Sequence, residues 1–428
     1  MSLTIFKFLF RIYYFVFSFK LFKSKKDKHT VIYFNTHDKG GGAAKICSQL
    51  FSYFKNSNMY VLVKRTKENK IYSFDPNLWS RLGQYAREIE KKYGLIDFSK
   101  LGLIHLINDT KFQKAQIIHL HNTHGYYMSF LAMEKVFSSK KVIWTLHDDY
   151  MITGHCSFSM TCNKWIEGCK ACPDLTIYPS LDFDSTKINQ IQKKHLFQKI
   201  QPFIVTPSKW LEERIRLKYP FLKNVTTIYN GVNTELFYPI KDRISLRNKY
   251  EISIEKKVFL FVAELSTNNP FKGGEIIRTI LENELPENWL LITVGDKNVI
   301  SINDKHLSFP YINSDSFLNE LYNLADIMIY PTKADNLPLV VIESMSCGVP
   351  VIASNIGGVN EIISDEEDGF LINEFKLESY YNALKKYFEL SEYEKNEISN
   401  NARNKILKHF DQSIMLESYS RLYNKVLN

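Results

Sequence analysis

The sequence of 428 residues lacks several features that would define its class directly. It contains no internal repeat and no low-complexity tract, which excludes repeat architectures. The longest uncharged run near its start, Ile12 to Phe19, has eight residues, whereas a helix needs roughly 20 to cross a hydrocarbon core. This segment is therefore too short to span a membrane. No small-residue cleavage site follows it, which argues against a secretory signal.

Composition and length are ordinary for a globular chain. Hydrophobic residues make up 45% and charged residues 24% of the sequence, as in typical folded domains. The length predicts two domains, each large enough for a core of its own.

Positive charge is concentrated near the start. The net charge is +9, and residues 1–30 hold seven Lys or Arg against one Asp, which leaves +3 for all the other residues. A nucleic-acid-binding protein would spread its charge along a groove, so no nucleic acid is expected as a partner. Met1 to Phe22 instead favours an amphipathic helix on the cytoplasmic membrane surface, with four lysines at the lipid head groups: Lys23, Lys25, Lys26 and Lys28. The alternative is a helix packed on the first domain.

A glycine-rich loop follows the first strand, Val31 to Asn35, and opens a helix from about Ala43 to Lys55. Gly40, Gly41 and Gly42 let a ligand approach the backbone closely.

The loop is not a dinucleotide fingerprint. The G-x-G-x-x-G frame that starts at Gly40 places Lys45 in its last position. The next strand, Met59 to Val63, ends in Lys64 and Arg65 and lacks the acid that a nicotinamide ribose needs. A dehydrogenase is therefore disfavoured.

Histidines cluster around the strand Gln116 to Leu120. His119, His121 and His124 lie within six residues. We expect His119 to point away from its neighbours, and no acid joins the group, so a polar wall is favoured over a metal site.

His147 and Asp148 follow the strand Lys141 to Leu146. The carboxyl ends of strands are where α/β sheets bind ligands, so His147 is a candidate ligand-contacting residue. The alternative is a histidine that is only hydrogen-bonded within the protein.

Four of the six cysteines lie within 17 residues, spaced C-x5-C-x6-C-x2-C: Cys156, Cys162, Cys169 and Cys172. A reducing cytoplasm would keep them as thiols, and clustered thiols suggest a structural zinc. Two disulfides or four unligated thiols remain equally open, because the spacing matches no standard zinc knuckle.

The second half alternates strands and helices. An apolar strand, Val258 to Ala263, leads through Glu264 to Lys272 and Gly273, where a helix begins. The later predicted elements are a strand at Leu290–Gly295, a helix at Asp315–Leu324, a strand at Ile327–Tyr330, helices within 376–410 and a final helix from Phe410 to Leu427.

The stretch from Asp335 to Gly358 is the most informative part of the sequence. An apolar helix, Leu337 to Cys347, should end at Gly348, and a short strand, Val349 to Ala353, should run into the pair Gly357-Gly358. Helix, strand and glycine turn in this order are typical of a doubly wound parallel sheet.

Two carboxylates, Asp335 and Glu343, lie in this stretch with seven residues between them. A carboxylate inside an apolar helix is costly without a partner. Glu343 either caps a neighbouring turn, or it accepts hydroxyl hydrogen bonds from a sugar while the helix N-terminus receives an anion.

This stretch resembles the E-x7-E segment of retaining, nucleotide-sugar-dependent glycosyltransferases of family 4. Their GT-B architecture is α/β, with two facing Rossmann-like doubly wound domains and a cleft between them. The resemblance implies that Glu343 holds the donor ribose and that Asp335, one methylene shorter than the usual Glu, meets the donor sugar. It also implies that His147 contacts that sugar and that Lys272 grips the diphosphate.

The chain departs from the family where a second phosphate cation is expected. Glu264 stands in place of the usual Arg, so either Lys272 and the helix N-terminus suffice, or Lys209 or Lys45 replaces the Arg. The donor-binding residues implied in this way are Gly40, Gly41, Gly42, Lys272, Asn336, Leu337 and Glu343.

Two further segments carry the resemblance. Asn230-Gly231-Val232, followed by Phe237 and Pro239, is similar to the family's interdomain connection, and the cysteine segment resembles a subset of bacterial envelope polysaccharide enzymes. The expected organisation is a membrane-interface segment at 1–30, an acceptor-side domain at 31–232, a nucleotide-sugar-binding domain at 233–410 and a terminal helix at 411–428 that returns to the first domain.

The resemblance therefore implies a retaining, hexosyltransferase-type enzyme that needs neither metal nor cofactor for catalysis. It would move a sugar from a nucleoside diphosphate sugar to a saccharide or polyprenyl-linked oligosaccharide in envelope polysaccharide or lipopolysaccharide synthesis. It would act in the cytoplasm, on the inner face of the plasma membrane. A nucleotide-sugar epimerase and a non-catalytic saccharide-binding or scaffold protein are the alternatives.

Overall fold

The computed structural model describes residues 30–73, 85, 88–90, 92–98, 100–125, 127–283, 285–296 and 305–428. The predicted membrane-interface helix lies outside the described residues. The chain forms two compact units: the first contains residues up to Pro207, Leu211–Thr227 and Tyr419–Asn428, and the second contains Ser208–Trp210 and Ile228–Ser418. No helix in the described part of the chain is long and apolar enough to cross a membrane.

Seven parallel strands form the sheet of the first unit, in the order β3-β2-β1-β4-β5-β6-β7. They are β1 (Val31–His37), β2 (Ser57–Val63), β3 (Ile71–Ser73), β4 (Ile117–Leu120), β5 (Lys141–Thr145), β6 (Phe203–Thr206) and β7 (Val225–Thr227). The central strands are buried and apolar, as expected for a parallel sheet that is covered on both faces. The order in which strands are added to the sheet reverses between β1 and β4. Parallel sheets bind ligands at such a switch point.

The helices of the first unit include the one predicted after the glycine-rich loop, which ends two residues before its expected end. They are α1 (Gly42–Tyr53), α2 (Thr110–Lys114), α3 (Phe130–Phe137), α4 (Lys164–Glu167), α5 (Thr186–Ile200) and α6 (Lys209–Lys218, whose first two residues group with the second unit), with 3₁₀ turns at Leu101–Asn108 and Asp149–Met151. Strand β3 has only three residues at the edge of the sheet, too few to show a period in the sequence.

Six parallel strands form the sheet of the second unit, in the order β10-β9-β8-β11-β12-β13. They are β8 (Lys257–Val262), β9 (Trp289–Asp296), β10 (His306–Pro310), β11 (Ile327–Tyr330), β12 (Val351–Ser354) and β13 (Phe370–Ile372). The order in which strands are added reverses between β8 and β11. The loops after these two neighbouring strands therefore meet at one edge of the sheet.

The helices of the second unit cover this sheet. They are α7 (Arg243–Lys249), α8 (Gly274–Glu282), α9 (Asp315–Leu324), α10 (Leu339–Ser346), α11 (Val359–Ile362), α12 (Leu377–Glu389) and α13 (Glu392–His409). Helix α10 ends as predicted, with Gly348 in the left-handed region at φ 72°. Ile276, Ile277 and Tyr380, on α8 and α12, join the strands in one buried core.

The terminal helix, α14 (Gln412–Leu427), contributes two tyrosines to the core of the first unit. The Tyr423 hydroxyl lies 2.6 Å from His119 Nδ1 and 3.0 Å from the Tyr33 hydroxyl. Tyr419 contacts Thr145 Oγ1 at 2.9 Å, and that hydroxyl lies 2.8 Å from His119 Nε2. A buried polar chain thus attaches the helix to the centre of the sheet.

Candidate active site

Three polar side chains meet where β8 and β11 end in the second unit. Lys272, in the loop after β8, donates through Nζ to Oδ2 of Asp335, in the loop after β11. The hydroxyl of Tyr330, the last residue of β11, donates to the same oxygen at 2.5 Å. The Lys272 and Asp335 side chains are only 22% and 14% exposed, so their attraction is screened less than that of a surface ion pair.

The second oxygen of Asp335 remains available. No described residue donates a hydrogen bond to Oδ1, and a carboxylate oxygen can accept two such bonds. Burial, followed by the charge of Asp335, raises the pKa of Tyr330 well above its usual value. Tyr330 therefore keeps its proton and remains a donor to Asp335.

Glu343 is held by a second tyrosine. It lies on α10, is 3% exposed, and accepts a 2.9 Å hydrogen bond at Oε2 from the hydroxyl of Tyr322 on α9. Burial, with the nearby carboxylate, raises the pKa of Tyr322 well above its usual value. The two acids predicted from the sequence are thus each paired with a tyrosine that sequence reasoning missed.

Glycines allow the close backbone packing of the loops that carry these side chains. Gly273 has φ 73°, and a Cβ there would lie 1.8 Å from the Pro331 carbonyl oxygen. A Cβ at Gly358 would lie 2.3 Å from the Asn336 carbonyl oxygen, to which Gly358 N donates at 2.8 Å. The loops after β8, β11 and β12 therefore pack backbone against backbone, which only glycine permits.

Asn336 and Leu337, also predicted to bind the donor, are both buried. The Asn336 side chain accepts a hydrogen bond from the hydroxyl of Ser208, which groups with the second unit. Leu337 presents an apolar side chain, so any polar contact it makes must come from its backbone.

The cation that replaces the usual Arg is still a prediction. Glu264 is exposed, and its carbonyl oxygen accepts from the side chain of Asn269 at 2.8 Å. Lys209 is exposed at the start of α6, and Lys45 lies on α1 in the first unit.

The glycine-rich loop of the first unit is fixed by residues that the sequence pattern did not single out. Asp38 accepts hydrogen bonds from the backbone N–H of Arg65 at 2.7 Å and of Thr66 at 2.9 Å. The Arg65 guanidinium donates to the Lys39 carbonyl at 3.0 Å, and a Cβ on Gly40 would lie 2.6 Å from it. The residues that follow β2 therefore fix this loop, and Gly41 and Gly42 remain exposed at the start of α1.

Two hydrogen-bonded pairs lie after β4 and β5. His147 Nε2 lies 2.9 Å from His121 Nδ1, and His124 Nε2 lies 2.8 Å from Asp148 Oδ2. Burial lowers the pKa of His147 to about 4 and that of His121 well below its usual value, so both rings are neutral at pH 7.

The prediction for the three clustered histidines is wrong in two respects. His119 and His121 share one face of their strand, with ring centroids 4.4 Å apart, because residues two apart on a strand point the same way. An acid does join the group, since Asp148 binds His124.

All six cysteines are free thiols, and burial raises the pKa of Cys156 to about 12. Cys169 Sγ accepts from Gly154 N at 3.2 Å, and Cys172 Sγ lies 3.5 Å from His155 Nε2. Across the described residues, no three His, Cys, Asp or Glu side chains are placed to hold a metal ion. The zinc hypothesis therefore gains no support from this geometry and stays a prediction.

Two parallel sheets of Rossmann-like order, with polar side chains at the carboxyl ends of their strands, define an α/β fold that matches solved structures of the GT-B class. Residues 242–405 match the family model "Glycosyl transferases group 1". This region, which is less than half of the chain, contains Lys272, Asp335 and Glu343.

Curated relatives point the same way. WcaC of Escherichia coli K12, which is named as a glycosyl transferase of colanic acid biosynthesis, is 24% identical over 58% of this chain and 62% of its own. The UDP-Gal:alpha-D-GlcNAc-diphosphoundecaprenol alpha-1,3-galactosyltransferase of Escherichia coli is 30% identical over 46% of this chain and 54% of its own. The matched part thus spans between half and two thirds of these relatives.

Among solved structures, HepE of Anabaena in complex with UDP-glucose has a TM-score of 0.65 at 15% identity and covers 92% of this chain and 99% of its own. At this identity the likeness establishes the fold alone.

Proposed function

We propose that this protein is a retaining glycosyltransferase that moves a sugar from a nucleoside diphosphate sugar to a saccharide acceptor in envelope polysaccharide synthesis. The observation that carries the proposal is the grouping of Lys272, Asp335 and Tyr330 at the switch point of the second sheet, inside the group 1 region. A relative that acts on a diphosphoundecaprenol-linked sugar supports a lipid-linked acceptor.

Each residue of the site has a definite role in this proposal. Glu343 accepts hydrogen bonds from the donor ribose, Asp335 Oδ1 accepts one from the donor sugar, and His147 contacts the sugar. Lys272 and the N-terminus of α10 face the diphosphate, where positive ends stabilise the charge that develops on the leaving phosphate.

Charge balance shapes the mechanism. Lys272 is shared with Asp335, and Glu264 adds no cation, so backbone N–H groups near Gly273 and at the start of α10 carry much of the phosphate stabilisation. The acceptor hydroxyl attacks from the face that the phosphate leaves, and its proton passes to that phosphate. This gives retention without a protein base.

The test is thermal unfolding of the purified full chain with UDP, GDP, ADP and CMP, each alone and as its common sugar conjugates. A ligand at 100 times its dissociation constant adds about 2.7 kcal/mol of stability. We expect one nucleotide series to raise the melting temperature of the wild type and of Glu366→Gln, a substitution at an exposed acid, but not of Glu343→Gln. Stabilisation by a saccharide or lipid alone would contradict the proposal in favour of a binding protein.

A further inference from the structure

Tyr330 combines two features: its hydroxyl donates a hydrogen bond to Asp335, and its ring is almost fully buried. It is 2% exposed and fixed by its place in β11, where it pairs with Ala353 of β12. The Lys272 ammonium lies 5.8 Å from the centre of its ring.

Lys272 alone would hold Asp335 loosely. A lysine ammonium is a point charge on a flexible four-carbon stem, so it attracts a carboxylate without fixing its rotation. A tyrosine hydroxyl on a buried ring has a fixed origin and direction. With both donors on Oδ2, the carboxylate plane is set, and Oδ1 is left with its lone pairs.

We infer that Tyr330 is a positioning residue that fixes Asp335 so that Oδ1 accepts a hydrogen bond from a hydroxyl of an uncharged donor sugar. The inference rests on the proposed function and adds the side chain that orients the sugar-reading group. It also adds a specificity. A carboxylate oxygen accepts from a hydroxyl but repels a second carboxylate, so a uronic acid donor is disfavoured.

The experiment measures dissociation constants for nucleotides with and without a sugar. The probes are UDP, UDP-glucose, UDP-galactose and UDP-glucuronate, with GDP and GDP-mannose, and ADP and ADP-glucose. The readout is the ratio of the nucleotide constant to the nucleotide-sugar constant. Tyr387→Phe is the matched control, because the Tyr387 hydroxyl is also bonded in the core of the second unit but donates to the Asp326 carbonyl.

For the nucleotide pair that the wild type binds, Tyr330→Phe should weaken the nucleotide sugar roughly 10-fold, as expected for one hydrogen bond to a charged group. The bare nucleotide should bind unchanged, which also shows that the variant is folded. Tyr387→Phe should keep the wild-type ratio. A purely structural role for Tyr330 would change both constants together.

Asp335→Asn supplies a second, independent measurement. Its side-chain oxygen can keep the bonds from Lys272 and Tyr330, which directs the amide N–H group towards the sugar. Binding of UDP-glucuronate should then improve relative to UDP-glucose. An unchanged ratio in Tyr330→Phe, or a wild-type ratio near one for every pair, overturns this inference alone. Failure of the wild type to bind any nucleotide overturns the proposed function as well.

Discussion

Gly357 packs its backbone directly against the carbonyl oxygen of Asp335. A Cβ at Gly357 would lie 1.8 Å from that oxygen, and the residue has φ 61°. The glycine turn after β12 therefore supports the loop that carries the first carboxylate of the site.

Gly357→Ala should lower the free energy of unfolding by more than about 1 kcal/mol, since the clash with Asp335 adds to the left-handed strain. Gly348→Ala is the control, because Gly348 has φ 72° and the atom nearest its Cβ position is the side-chain oxygen of Ser399 at 3.0 Å rather than backbone. Urea unfolding of both variants isolates the clash. Equal losses would mean that the loop after β11 moves freely.

Glu343→Gln should reduce turnover by about 10- to 100-fold, because a charged hydrogen-bond acceptor for the donor is lost while the bond from Tyr322 can be kept. The assay measures release of nucleotide in the presence of acceptor, and circular dichroism confirms folding. Turnover within twofold of the wild type would remove Glu343 from the donor site.

Tyr423→Phe should destabilise the protein by about 1–3 kcal/mol, because buried Tyr33 and His119 each lose a partner. Tyr393→Phe should change nothing, since that side chain is 77% exposed. Chemical denaturation of the two variants measures the difference. Equal stability would show that the polar chain from α14 contributes no net energy.

The buried histidines should make stability fall as the pH drops below about 6.5. His119, His121 and His147 are buried with lowered pKa values, and that of His147 is about 4. Below pH 6.5 these histidines become protonated in the unfolded chain but stay neutral in the folded chain. The stability that they contribute above pH 6.5 is therefore lost as the pH falls towards 4. For His147 the loss amounts to up to about 3 kcal/mol.

Denaturant unfolding between pH 8 and pH 5 checks this dependence. His119→Gln should make the fall shallower, whereas His195→Gln, at a side chain that is 44% exposed, should leave it unchanged. Equal slopes for the wild type and His119→Gln would contradict the buried neutral rings, because Asp97, whose pKa burial raises to about 7, acts in the opposite direction in both proteins.

Metal analysis with thiol titration decides the zinc hypothesis. Bound zinc with masked thiols, lost in Cys162→Ser, would support it. Cys162 is one of the four candidate ligands, so its removal should release a metal that the cluster holds. Purified protein with no zinc and four reactive thiols in the cluster would remove the hypothesis.

The sequence predicts the sheets well because buried parallel strands are continuous apolar runs. The strand Ile327–Tyr330 and the helix Asp315–Leu324 agree with the structure to the residue. The glycine turns are equally predictable from the sequence, because few other residues adopt their backbone angles. The edge strands β3, β7, β10 and β13 were not predicted, because runs of three to five residues carry little period.

The partners of the site residues could not be predicted in this way. Tyr322 and Glu343 are 21 residues apart, and Lys272 and Asp335 are 63 apart, so their contacts depend on loop paths that no local pattern encodes. One signal was available: Tyr330 ends its strand five residues before Asp335, at the edge where ligands bind.

The first unit is built from segments that are far apart in the sequence, so its parts are synthesised at different times. Strands β1 to β7 are complete once Thr227 is made, but Tyr419 and Tyr423 follow only after Ile228–Ser418. At 5–20 residues per second that segment takes roughly 10–40 s to translate. Throughout this interval Tyr33 and His119 lack the hydrogen-bond partner that Tyr423 later supplies.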